Sequence, residues 1–176
     1  MGRTKEQLED GELAQCGRFI EWRRKQFDEQ FSIIRRPNPP DFILELSGKQ
    51  TWLEVTDVFF EDEDVDWQLA VAPPPRDLEN ADDQFVERAV KQLNTKLSKK
   101  SYSSCFNQLG QGFLMLTARY YFINDVLLHQ LQRALRGSFL RSDVGCFKEA
   151  YLECYVAAAW EYGMIYPQPD LIDEDA

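Results

Sequence analysis

Asp41-Phe42-Ile43-Leu44-Glu45-Leu46 is followed, after the short segment Ser47-Gly48-Lys49-Gln50, by Thr51-Trp52-Leu53-Glu54-Val55-Thr56-Asp57-Val58-Phe59. Both outer runs are rich in apolar, β-branched and aromatic residues, which favour strands. The four residues between them are typical of a turn. The sequence therefore predicts a β-hairpin over residues 41–59.

Acidic side chains interrupt both of these apolar runs. Residues of one parity lie on the same face of a strand, so Asp41 shares a face with Glu45, and Glu54 shares a face with Thr56. A carboxylate at the entry of one strand and another midway along its partner can converge across the pair. Hard divalent cations bind one or two carboxylates together with water. Asp41 and Glu54 are therefore candidate ligands for Mg²⁺ (or Mn²⁺).

Helical and strand patterns flank the hairpin. Apolar residues recur at helical spacing over residues 4–27, where Gly11 and Gly17 are expected to weaken or split the helix. The further predicted elements are helices over 84–100 and 124–136 and strands over 112–117 and 147–156. Strands that alternate with helices are typical of an α/β fold. We therefore predict a mixed central β-sheet flanked by helices.

Length and composition suit a single domain over residues 1–176. The hydrophobic content is 44% and the aromatic content 13%, which is enough for a packed core. Two acidic segments lie outside the predicted elements: the proline-rich stretch 60–83, expected to be a long loop, and the tail 168–176. The four cysteines are scattered without metal-binding spacing, and no apolar run is long enough to span a membrane. A cytoplasmic protein without a membrane partner is expected.

The charge is distributed unevenly along the chain. The formal net charge is -10, which taken alone argues against a nucleic-acid partner. Residues 91–141, however, carry eight basic side chains and one acidic side chain, a balance of +7. Because binding depends on the local patch rather than on the total charge, this segment is a candidate nucleic-acid surface.

The acidic pair resembles the signature of the PD-(D/E)XK, or restriction-endonuclease-like, nuclease superfamily. Pro40-Asp41 is followed 13 positions later by Glu54-Val55-Thr56, in a context of helix, hairpin, helix and strand. The resemblance implies an αβββαβ core in which Asp41 and Glu54 bind Mg²⁺. Thr56 stands where the motif has a lysine that assists phosphodiester hydrolysis, so this chain departs from the pattern at that position.

Some members of the superfamily supply this lysine from the helix that follows the hairpin. Here the candidates are Lys96 and, as a reserve, Lys100, which flank the apolar face of the predicted helix 84–100. Glu21 on the opening helix is a candidate third carboxylate by the same resemblance. Glu45 and Thr56 are further secondary candidates.

Structural roles compete with these catalytic ones. An aspartate at a strand entry such as Asp41 often caps a turn, a buried glutamate such as Glu54 can belong to a structural ion pair, and lysines such as Lys96 are favoured at helix C-termini.

Two functions from different classes follow. The first is a metal-dependent endonuclease, with DNA favoured over RNA as its substrate. The second is a catalytically inactive protein of the same fold that binds a protein partner, of the immunity or anti-restriction type. A homodimer is left open.

Overall fold

The computed structural model describes residues 5–58, 81–97, 101–118, 125–141, 146–156 and 159–166. Most of the predicted acidic loop 60–83 and the whole of the predicted tail 168–176 lie outside these ranges. The described elements, in chain order, are α1 (Lys5–Phe27), β1 (Phe31–Arg35), β2 (Phe42–Leu46), β3 (Lys49–Asp57), α2 (Ala81–Leu97), α3 (Ser101–Leu109), β4 (Gly112–Ala118), α4 (Asp125–Arg141), β5 (Phe147–Val156) and β6 (Ala159–Tyr166).

The six strands form one mixed sheet in which the spatial order is the same as the chain order, β1-β2-β3-β4-β5-β6. The pairs β1–β2 and β2–β3 are antiparallel. The pairs β3–β4 and β4–β5 are parallel, and β6 closes the sheet antiparallel to β5. Parallel neighbours need crossover connections, and the described helices α2 and α3 lie between β3 and β4, with α4 between β4 and β5. The prediction of an α/β fold with a mixed sheet is confirmed.

A two-residue turn joins β2 to β3 and fixes their register. Ser47 and Gly48 both have positive φ angles, 51° and 77°, as tight hairpin turns between right-twisted strands require. The resulting register pairs Phe42 with Leu53 and Leu46 with Lys49. The predicted hairpin is therefore confirmed, with a turn shorter than the four residues expected.

Each face of the sheet has its own apolar core. On one face, α1 packs through Cys16 and Phe19 against residues that include Leu53, Phe113 and Tyr151. The other face carries a larger cluster, to which α2, α3 and α4 all contribute. Its helical members are Phe85, Ala89, Leu93, Tyr102, Cys105, Leu127 and Leu131. The sheet is thus covered on both sides, which explains why β4 is buried along its whole length.

Polar groups also bind α1 to the sheet. Arg18 donates from Nε and Nη2 to the two carboxylate oxygens of Glu153, at 2.8 and 2.9 Å, and Glu153 is fully buried. Thr117 and Tyr162 donate to the same carboxylate, at 3.0 and 2.6 Å. Both oxygens of Glu153 are therefore satisfied. This cluster has a structural role, because a buried carboxylate with a complete set of donors has no capacity left for a ligand.

Three of the observed elements were absent from the prediction. Strands β1 and β6 were not predicted, and the helical region after the hairpin contains a second helix, α3, that was not predicted either. Strand β1 lies at an edge of the sheet and is exposed at four of its five positions, so it lacks the alternating pattern that identifies a half-buried strand.

Glycine did not interrupt the helices as expected. Helix α1 is continuous through Gly11 and Gly17, and α4 continues past Gly137, where the sequence predicted its end. A glycine in a helix interior costs only about 1 kcal/mol relative to alanine, which tertiary packing outweighs. Among the described residues, no helix is long and apolar enough to cross a membrane.

Candidate functional site

The hairpin register brings Asp41 and Glu54 to one face of the sheet. Phe42 pairs with Leu53, so Asp41, one residue before β2, lies opposite Glu54 in β3. The Oδ2 atom of Asp41 accepts a hydrogen bond from the backbone N–H of Val55 at 2.8 Å. This bond ties Asp41 to β3 and holds its carboxylate beside that of Glu54. The convergence expected from strand parity is therefore present.

Glu54 is buried, with 2% of its surface exposed, and its two oxygens have different surroundings. Oε1 accepts hydrogen bonds from the ammonium group of Lys96 and, at 2.6 Å, from the hydroxyl of Tyr102. Oε2 is buried and has no hydrogen-bond partner among the described residues. An unsatisfied carboxylate oxygen is costly to bury, and Oε2 keeps its capacity to accept a hydrogen bond or to bind a cation.

Lys96 reaches Glu54 from the last turn of α2. Phe85, Ala89 and Leu93 form the buried stripe of this helix at intervals of four residues, and Lys96 follows Leu93 by three positions. It therefore lies beside that stripe and is directed towards the sheet. Its side chain is 16% exposed, so part of the lysine remains accessible from solvent.

Burial and neighbouring charge raise the pKa of Asp41 to about 7. Removal from water is the largest cause, and the negative charge of Glu54 is the next. The Val55 N–H and the charge of Lys96 oppose this rise. The same two influences, burial first, raise the pKa of the Tyr102 hydroxyl, so this group stays protonated and acts as a donor. Two carboxylates close together in a partly dry site favour a cation between them.

A third carboxylate, Glu12 of α1, lies at the margin of the same site. Burial raises the pKa of Glu12, Arg36 lowers it, and the charges of Glu54 and Lys96 also act on it. Arg36 donates from Nη2 to Glu12 Oε2 at 3.3 Å and to the backbone oxygen of Glu9 at 2.9 Å. Glu12 is therefore an acid of α1 whose charge interacts with Glu54 and Lys96.

Glu21, the acid of α1 that was predicted to be a third carboxylate, lies elsewhere on this helix. It is exposed, and its carboxylate is paired with Arg24 and Lys25. Glu21 stands nine residues, or two and a half helical turns, beyond Glu12. The structure therefore places Glu21 away from the hairpin. Helical spacing alone could not show which turn of α1 faces the hairpin.

The remaining candidates divide between the site and its surroundings. Thr56 lies two residues after Glu54 on the same face of β3, next to Leu116 of β4. Glu45 lies opposite Gln50 near the turn, four residues along β2 from Asp41 and so about 13 Å away along the strand. Lys100 lies outside the described residues. Asp41, Glu54 and Lys96 are thus brought together, and Glu45 is not.

Tyr102 is a site residue that sequence reasoning missed. It lies in the first turn of α3, a helix that was not predicted, and it follows a lysine-rich segment without any motif. One signal was available: Tyr102 follows Lys96 by only six residues, so the two side chains can lie near the same site. Periodicity within a single predicted helix could not show this.

Comparisons of the chain with protein-family models, with curated proteins and with solved structures find no match. Within the part of the chain that the structure describes, no group of three or more histidine, cysteine or acidic side chains is arranged to hold a metal ion. The candidate site therefore consists of two neighbouring carboxylates, one bound lysine and one unpartnered carboxylate oxygen. This arrangement can accept a hard cation and present a positive charge beside it.

Proposed function

We propose that this chain is a divergent restriction-endonuclease-like protein that hydrolyses phosphodiester bonds of nucleic acid with the help of Mg²⁺. The observation that carries the proposal is the meeting of Asp41, Glu54 and Lys96 at one end of the β2–β3 hairpin, with Glu54 Oε2 left without a described partner. The chain order of one helix, three strands, a helical region and a fourth strand parallel to the third supports the same superfamily.

The donor set fits Mg²⁺. Asp41 and Glu54 offer oxygen ligands, and Mg²⁺ usually takes one or two carboxylates and keeps several waters or binds substrate phosphates. A site with only two close carboxylates is therefore consistent with the absence of a larger ligand group among the described residues. When bound, such an ion lowers the pKa of a water molecule and offsets charge on the phosphate.

Lys96 takes the role that Thr56 cannot fill. A threonine hydroxyl has no positive charge, whereas the Lys96 ammonium group is already beside Glu54. A lysine is a mobile point charge with three donors, so it can hold the carboxylate in the free protein and turn towards a phosphate in the complex. The side chain supplies electrostatic stabilisation of the developing negative charge.

Nucleic acid would bind through the basic segment 91–141. Among its described side chains, Lys91 and Arg133 are exposed. Contacts between such groups and phosphates release counterions, so binding weakens steeply as salt rises. A cytoplasmic location and DNA as the preferred substrate belong to this proposal.

The second candidate function is that of a protein with the same fold that catalyses no reaction. The observation that favours it is that Lys96 and Tyr102 both bind Glu54 Oε1, so the glutamate already has a cation and a donor without any metal. In this reading the Glu54–Lys96 pair is structural, and the chain, with its net charge of -10, binds a basic protein partner. Complementary charge would accelerate that association.

Metal titration distinguishes the two functions. Mn²⁺ and Mg²⁺ are titrated calorimetrically into the wild-type chain and into Asp41→Asn, Glu54→Gln and the matched control Glu45→Gln, which removes a carboxylate at the other end of the same strand pair. We expect binding to be lost in the first two variants and kept in the control.

Cleavage of supercoiled DNA and of RNA is then compared for wild type and Lys96→Ala. Folded wild-type protein that binds no ion and cuts neither substrate would support the protein-binding function instead.

A further inference from the structure

Tyr102 is held rigidly in the core next to the candidate site. Its side chain is buried, with 1% exposed. The ring stacks on Trp52, with centroids 5.6 Å apart and planes at 12°, and meets Phe147 edge-on at 5.5 Å. Trp52 is itself fixed, because its Nε1 donates to the backbone oxygen of Gly110 at 2.9 Å. The ring of Tyr102 therefore has little freedom to move its hydroxyl.

The hydroxyl acts on one particular oxygen of Glu54. Oε1 receives both the Tyr102 hydroxyl and the Lys96 ammonium group, which together use the two lone-pair directions of that oxygen. Oε2 is buried without a partner among the described residues. The two donors therefore determine which oxygen is available.

We propose that Tyr102 is a positioning residue for metal binding: its hydroxyl holds Glu54 by Oε1 so that Oε2 is presented to the divalent cation. This inference rests on the proposed metal-dependent function and adds to it a residue outside the acidic pair and the lysine.

The two donors that bind Glu54 Oε1 can have different functions. Lys96 is partly exposed and has a long side chain with four rotatable carbon atoms, whereas Tyr102 is buried. When Lys96 leaves Glu54 to contact a phosphate, Tyr102 keeps the carboxylate in place. Groups that orient a metal ligand in this way typically affect metal affinity by about 10- to 100-fold.

The opposite face of the sheet provides a matched control. Tyr162 donates to Oε1 of the buried Glu153 at 2.6 Å, the same distance that separates the Tyr102 hydroxyl from Glu54. Tyr102→Phe and Tyr162→Phe thus each remove one hydroxyl donor from one buried carboxylate. Only Tyr102 lies at the candidate site.

The experiment measures the Mn²⁺ dissociation constant of the full chain by calorimetry for wild type and both variants, with urea unfolding of each. We expect Tyr102→Phe to weaken Mn²⁺ binding by about 10- to 100-fold and Tyr162→Phe to leave it nearly unchanged, although both variants lose stability.

Three other outcomes would overturn the role of Tyr102 or both proposals. Equal affinity in wild type and Tyr102→Phe overturns the role of Tyr102 but leaves the proposed function intact. Equal weakening in both variants shows a general loss of stability and also overturns that role. Folded wild-type protein that binds no Mn²⁺ overturns both proposals.

If Tyr102→Phe does not fold, the ultraviolet difference spectrum of the wild type replaces it. A tyrosine signal that saturates with Mn²⁺, and persists in Tyr162→Phe, is expected because the cation acts on Tyr102 through Glu54. A spectrum without that signal, at Mn²⁺ concentrations where calorimetry detects binding, overturns the role of Tyr102.

Discussion

Asp41→Asn should change how the stability of the metal-free protein depends on pH. The pKa of Asp41 is raised from 3.8 to about 7 in the folded chain. Between these two values the folded state holds a proton that the unfolded state has released. The contribution of Asp41 to stability is therefore fully present below about pH 4 and is lost as pH rises through 7. Asparagine has no such proton, yet its amide oxygen can still accept the Val55 N–H.

The size of the effect follows from the same two pKa values. A difference of one pKa unit corresponds to about 1.4 kcal/mol, so the full effect is at most about 4 kcal/mol. Between pH 5 and pH 8, linkage gives about 2–3 kcal/mol. Relative to wild type, Asp41→Asn should therefore gain about this much stability between pH 5 and pH 8.

Urea unfolding followed by tryptophan fluorescence measures this difference, with EDTA present to exclude metal ions. Titrating groups that do not interact with Asp41 cancel when the variant is compared with wild type at each pH. Glu21→Gln is the control, because Arg24 lowers the pKa of the exposed Glu21 to about 2, so its difference from wild type should stay flat over this range. If the free energy of unfolding of Asp41→Asn relative to wild type also does not change with pH, the assignment of a proton to Asp41 is refuted.

Further measurements test the surroundings of the site. Gly112→Ala should lower the free energy of unfolding by about 1–3 kcal/mol, because a Cβ atom there would lie 2.2 Å from the Trp52 ring. Gly17→Ala, whose Cβ meets nothing within 4 Å among the described residues, should instead raise it by about 0.5–1 kcal/mol. An equal effect of the two substitutions in urea unfolding would contradict this packing. Lys96→Met should destabilise the metal-free protein by up to about 3–5 kcal/mol, because it leaves the Glu54 carboxylate buried without its cation. Added Mn²⁺ should restore part of the melting temperature, and a lack of recovery in Lys96→Met, where wild type responds to Mn²⁺, would argue against a cation at Glu54.

The hairpin and its acidic pair could be predicted because they depend on local rules. Strand pleating and a short turn determine that Asp41 and Glu54 share a face, and both rules can be read from neighbouring residues. Lys96 could be predicted for a related reason, since its place beside the apolar stripe of α2 follows from helical spacing.

Tyr102 and Glu12 depend on packing between distant elements and could not be predicted in this way. Tyr102 reaches Glu54 only because α3 follows α2 and stacks on Trp52 of β3. Glu12 reaches the site margin only because of where α1 lies across the sheet. In both cases the required information concerns the angle and register between elements, which residue spacing within one element does not contain.

The ion pairs of α1 have a consequence for how the chain acquires its structure. Arg18 and Arg23 lie in α1, which precedes every other described element, but their partners Glu153, Glu149 and Tyr151 lie in β5, more than 120 residues later. The sheet itself can grow strand by strand, since each strand pairs with the one made just before it. Helix α1 must wait, with its apolar and charged contacts incomplete, until β5 has left the ribosome. Contacts of such long sequence separation slow folding, so α1 is among the last of the described elements to be secured.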